Sequence, residues 1–223
     1  MVPLLHDRRI FGDRNQTTIK EGITMAKDSQ GMDLGQVEAL VTAAIMIVPY
    51  STENRITPEM IAPSKATTEL PTAYNRSTAC IGLVKSDGGN QDSRDGDDPL
   101  EFLQDGYKKL PLATSLTQTF SPAENNALTR KITIGEPDSN GVYHVADIIQ
   151  DAKWMVYEEE TFDTGRVHRR AGVMQVTGNE PDQQERGSVT GRELTVEWMK
   201  DPLYVDPEHP NTRWIESWYD PKA

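Results

Sequence analysis

VHRRAGVMQVTGNEPDQQERGSVTGRELTVEW, residues 167–198, decides how the rest of the chain is read. Two β-rich runs, 167–177 and 188–198, flank a connector, 178–187, whose Gly, Asn, Pro and Asp residues favour turning and exposed backbone. That is a long-looped hairpin. In the second run Leu194, Val196 and Trp198 fall on one face and Glu193, Thr195 and Glu197 on the other. This is the period-two pattern of a strand with one buried and one wet side. The wet side is acidic, and that alone describes an ordinary solvated face of a β-sandwich as well as a specialised one.

The segment before the hairpin, 141–162, has the same character. Ile148, Ala152, Trp154 and Val156 share one parity, and Asp147, Asp151, Lys153 and Glu159 share the other. It is expected to form one long strand or a bent pair, with Glu158, Glu159 and Glu160 protecting an edge against unwanted pairing. Upstream, 115–120 has strand composition. Ser121, Pro122 and Glu124 then supply a cap, a first helical residue and a capping-box partner, which predicts a helix from Pro122 to about Lys131 with Ala127 and Leu128 on its inner face. Residues 80–84 (CIGLV) are expected to be a short buried strand. They run into an acidic loop, 85–99. Aligning Gly96 with the glycine of a calcium-binding loop puts Gln91 and Phe102 where the first and last ligands are required, so the loop is expected to be solvated rather than metal-binding.

The most apolar run, 37–48, ends in β-branched residues at Pro49, which favours strand there and leaves helix or strand open for 37–45. Pro49, Pro58, Pro63 and Pro71 preclude long regular elements between 50 and 76. Residues 1–35 are polar and without sustained periodicity, and form an expected extended arm. The domain proper is expected over 36–200. Residues 201–223 are expected to form a C-terminal arm or strand, because Trp214 and Trp218 share a parity and suggest docking on an apolar groove.

Composition narrows the function. The chain has 223 residues, only 36% of them apolar, so its core is thin and part of it is expected to order only against neighbours. A formal charge of −12 does not suggest a phosphate-neutralising surface for nucleic acid. The single cysteine, Cys80, cannot form an intramolecular disulfide and is expected to act as a small buried hydrophobe. No apolar run approaches a membrane span. The first five residues are broken at once by His6, Asp7, Arg8 and Arg9, so a soluble chain made in a cytoplasm is expected. His6, His144, His168 and His209 lie in separate segments without metal-ligand spacing. No phosphate loop, dinucleotide fingerprint or nucleophile elbow is present, so neither catalytic, cofactor nor metal residues are assigned and an enzyme is not expected.

Several phrases, in order, carry a resemblance: IMIVPY at 45–50, LPTAYNRSTACIGLVKSDGG at 70–89, SLTQTFSPAENNALTRKITIG at 115–135 and VTGRELTVEW at 189–198. Over most of 36–200 this resembles the major tail tube proteins of long-tailed, non-contractile bacteriophages, particularly those of actinobacterial hosts. The resemblance lies in pattern rather than in a diagnostic motif. It implies a mainly β fold of two packed antiparallel sheets with one short flanking α-helix and extended N- and C-terminal arms. It implies a homo-oligomer, six copies closing a ring through their inner sheets, with rings stacked into a tube in the virion tail after assembly in the host cytoplasm. The implied partners are the tape measure protein and the tail terminator and tip proteins. DNA passes without specific binding, and no membrane is involved. Glu193, Thr195, Glu197, Asp147, Asp151 and Glu159 are then the candidates for the channel lining, and Arg8, Arg9, Trp214 and Trp218 the candidates for contacts between subunits. The alternative is a virion-surface β-sandwich that binds a carbohydrate or decorates a capsid.

Overall fold

The computed structural model describes residues 29–33, 36–95, 100–102, 106–108, 114–146 and 152–222. The chain divides into two units, Met1–Glu38 and Ala39–Ala223. The second is mainly β with one short helix of two turns, as expected. The strands are β1 (Leu40–Pro49), β2 (Gln91–Asp95), β3 (Leu100–Phe102), β4 (Gly106–Lys108), β5 (Ser115–Phe120), β6 (Lys153–Phe162), β7 (Val167–Pro181), β8 (Arg192–Met199) and β9 (Trp214–Tyr219). The helical turns are α1 (Arg76–Ala79) and α2 (Ala127–Ile134).

Seven strands form one antiparallel sheet in the order β1-β6-β7-β8-β5-β2, with β9 on β7, while β3 and β4 form a separate two-stranded ribbon. β7 organises it. On one side β7 pairs with β6; on the other its first half, Val167 to Gly172, pairs with β9 and its second half, from Val173, pairs with β8. The expected layers are thus opposed parts of one hydrogen-bonded sheet. Its curl follows from distance: β6 and β5 are three strand spacings apart, about 14 Å in a flat sheet, yet Gln118 Nε2 donates to Glu158 Oε1 at 2.8 Å. Ile45 of β1, Trp154 of β6 and Phe120 of β5 likewise meet in one apolar cluster with Leu194, Val196, Trp198 and Ile132 of α2.

The opposite face of β1, β6 and β7 carries Met46, Met155, Tyr157, Ala171 and Val173. These residues pack under the proline-rich connection through Ile56, Ile61 and Tyr74, and under Tyr204. The central strands are therefore covered on both faces. That is why Trp154, Met155, Val156, Tyr157 and Glu158 are consecutively buried, where alternation predicts one charged face.

Several local expectations change. β7 continues through the predicted connector to Pro181, because Asn179, Glu180 and Pro181 find ladder partners in Leu194, Glu193 and Arg192. The helix begins at Ala127, capped by Asn126, whose side chain accepts from Thr129 N. Ser121 and Pro122 instead pair with the segment around Val84, and Glu124 accepts from Leu83 N. Ala127 is exposed, and Thr129 and Ile132 are the buried helix residues. Cys80 and Val84 make isolated bridges rather than a strand, and the middle of the acidic loop is β2, whose ladder to β5 needs no apolar side chain. Glu158, Glu159 and Glu160 lie on an interior strand. The 37–48 run is strand from Leu40, and the C-terminal segment supplies β9.

Candidate functional site

The sheet face that bears Met155 and Val173 changes character across β7. Along the ladders, Lys153, Gln175, Glu197, Thr117 and Ser93 form one row over five strands. Gly178, Thr195, Thr119 and Gln91 form the next, and Glu180 stands opposite Glu193. None of these residues belongs to either apolar cluster. The predicted trio Glu193, Thr195 and Glu197 therefore shares a polar half-face, with Leu194, Val196 and Trp198 buried behind it as the alternation requires. Positive charge there is already engaged: Lys153 lies 3.4 Å from Asp201, and Arg213 lies 3.9 Å from Glu197. A surface of hydroxyls, amides and carboxylates with few available cations offers phosphate little to hold.

Glu159 is not brought to this half-face. It sits under the proline-rich connection, where Arg169 meets it at 3.3 Å and the Tyr157 hydroxyl donates to it at 2.8 Å. Asp147 and Asp151 lie outside the described residues, as do Arg8 and Arg9.

Behind the half-face, where the sheet curls over itself, is a charged centre that sequence reasoning missed. The β6–β7 turn, closed by Phe162 N donating to Arg166 O at 3.0 Å with Gly165 at φ +85°, reflects Glu158, Glu159 and Glu160 onto Arg170, Arg169 and His168. Alternate pairs then fall on opposite faces. On the inner face Arg170 Nη2 lies 2.8 Å from Glu158 Oε2, while its Nη1 donates to Asp92 of β2. Gln118 Nε2 donates to Glu158, and Asn90 Nδ2 donates to Glu160 at 2.9 Å. His168 Nδ1 is 3.2 Å from Glu160, and its ring stacks on Trp218 with centroids 4.1 Å apart. Burial pushes the Glu158 carboxyl up to about 7, against the opposing pull of Arg170 and Gln118. Glu160 is held below the usual carboxylate range, chiefly by its bond to His168. Gln118 Oε1, Asn90 Oδ1 and Arg170 Nε are buried without a hydrogen-bond partner among the described residues. An acidic triplet mirrored by a basic triplet across a short turn was the available signal.

The two tryptophans singled out as intersubunit contacts are both in β9. Trp214 packs on Trp198 at 5.4 Å between centroids and donates to Glu216, and so serves the core of its own chain. Trp218 keeps 38% of its surface exposed. Among the described residues the outermost strands, β1 and β2, each pair within the sheet on one side only. β1 is bridged on its outer side at Met46 by Cys80, while Leu40 and Val41 beyond it are 53% and 64% exposed. Among the described residues no three His, Cys, Asp or Glu side chains converge as metal ligands, and no helix is long and apolar enough to cross a membrane. No known family model matches the chain, and no curated protein is similar to it.

Proposed function

We propose that this chain is a structural subunit of a bacteriophage tail tube, six copies closing a ring and rings stacking into the channel through which the genome leaves. The observation that carries the reading is the polar half-face of β7, β8, β5 and β2, which runs to a strand whose outer ladder side is unpaired among the described residues. Each lysine or arginine contact to a phosphate releases counterions and favours binding over sliding, so a conduit for DNA is best lined by carboxylates and hydroxyls. Glu193, Thr195 and Glu197 supply that lining. The outer side of β1 beyond the Cys80 bridge and the outer side of β2, unpaired among the described residues, supply edges that neighbouring copies can close, and closure removes the aggregation hazard of an open sheet. The exposed Leu40 and Val41 on β1 become buried on assembly. A tape measure protein sets tube length, and terminator and tip proteins cover the ends. The alternative, a carbohydrate-binding decoration protein, calls for a cluster of exposed aromatic rings, whereas Trp154 and Trp198 are buried.

Electron microscopy of the purified protein at rising concentration tests this: rings or tubes are expected. Stable monomers throughout, even with a tape measure initiator supplied, overturn it.

A further inference from the structure

The curled sheet is held shut at its β2 end by polar groups. No residue of β2 belongs to either apolar cluster. Beyond its ladder to β5, its ties to the opposing layer among the described residues are Asp92 to Arg170 and, from the residue just before it, Asn90 to Glu160. The groups facing Glu158 are Gln118 from β5, Asp92 from β2, Glu160 on its own strand, Arg170 and His168 from β7, and Glu216 of β9 behind His168 at 3.7 Å. Four carboxylates thus share one guanidinium and one imidazole. Arg170 is divided between Glu158 and Asp92, and Gln118 offers its amide nitrogen to Glu158 while its Oε1 goes unused.

We propose that this centre is a proton-operated clasp in which a proton on Glu158 tightens β2 against β6 and β7, and its loss loosens β2. With Glu158 protonated, Gln118 turns its amide and accepts from the carboxyl through Oε1, and Arg170 is left wholly to Asp92. The proton comes from water and returns to it. With Glu158 ionised, one guanidinium faces that buried carboxylate and the half-exposed Asp92, and the cost of the buried charge and the repulsion favour the open arrangement in which water reaches Glu158.

The sign follows from linkage. A carboxyl raised to about 7 when closed and near its ordinary value when open stabilises the closed state less as pH rises between those two values. For one such proton, opening is expected to increase about tenfold between pH 6 and pH 8.

Amide hydrogen exchange across Gln91–Asp95, corrected for the intrinsic rate at each pH, reads this, with Ile45, Met46 and Ile47 of β1 as internal reference. Protection of β2 should fall about tenfold from pH 6 to pH 8 while β1 stays level. Glu158→Gln should abolish the dependence. A flat profile in the parent, or the same slope in the variant, overturns the proposal. Should Glu158→Gln not fold, Asp92→Asn, at a half-exposed side chain, should lower β2 protection at both pH values, and unchanged protection overturns the proposal equally. The exchange experiment reads the clasp within one chain, so its outcome is separate from whether rings form.

Discussion

Arg169 shows how one side chain fastens an irregular segment to a sheet. It is 1% exposed, and all its donor groups are used: Nη1 to Lys65 O and Nη2 to Ala66 O, each at 2.7 Å, and Nε to Glu159 at 3.3 Å. The planar fork satisfies two carbonyls of a connection with no ladder of its own, a task the point charge of lysine performs poorly. Arg169→Ala leaves those carbonyls without their donor and removes the nearest cation from Glu159, which keeps the Tyr157 hydroxyl. The expected cost is about 3–5 kcal/mol, the range for breaking a buried pair, read as a lower urea midpoint. Arg169→Lys should recover only part of it. Gly172 is constrained from the other side of the same strand. A β-carbon there meets Trp198 at 2.9 Å and the Arg213 carbonyl at 3.0 Å, and backbone does not yield. Gly172→Ala should therefore cost about 1–3 kcal/mol by overpacking, with the near-ultraviolet signal of the Trp198 and Trp214 pair altered.

Among the elements, α2 and β9 make the clearest contrast between local and tertiary causes. The helix start is local: Asn126 accepts from Thr129 N and Oγ1 and also donates to Ile81 O at 3.1 Å, joining cap to core. Asn126→Ala should cost about 1 kcal/mol or somewhat more, whereas Ser121→Ala should leave the helix signal unchanged; circular dichroism through a thermal melt separates the two. β9 forms for tertiary reasons. Six residues have no stability as an isolated strand. They order because the first half of β7 has its second side free, and because Ile215 and Trp214 pack against the two clusters.

At the scale of the molecule, the sheet divides its labour across β7: apolar and covered on both faces toward β1, polar on one face toward β2. The chain's charge of −12 fits the polar half-face, where Glu180, Glu193 and Glu197 stand on neighbouring strands. The double variant Glu193→Lys with Glu197→Lys should still fold, at a modest cost because Glu197→Lys trades an ion pair with Arg213 for repulsion. If the chain is the tail-tube subunit proposed above, tubes built from the variant should assemble, while phage carrying it should eject DNA slowly and infect poorly because lysines now hold phosphate. Normal infectivity would remove these residues from the lining.

The strand identity of 167–198 and the outward set Glu193, Thr195 and Glu197 were legible in the sequence because a half-buried strand writes its environment as a period of two. The mainly β class and the buried Trp154 and Trp198 followed from the same signal. Glu159 was misplaced because its parity is that of the half-face, and parity cannot tell whether a distant connection has folded over that part of the sheet. β2 was missed because its side chains answer to Arg170 and to solvent, neither of which leaves an apolar pattern. Of the charged centre only the mirrored triplets 158–160 and 168–170 leave a sequence signal; that Asn90, Asp92 and Gln118 join them does not, because they come from two other strands and the segment before β2. Sequence alone determined the alternation along β8 and the mainly β class, because a half-buried strand needs no distant partner to show its period. Only the tertiary structure decided which charges meet, since that depends on the curl that brings β5 and β2 over β6 and β7.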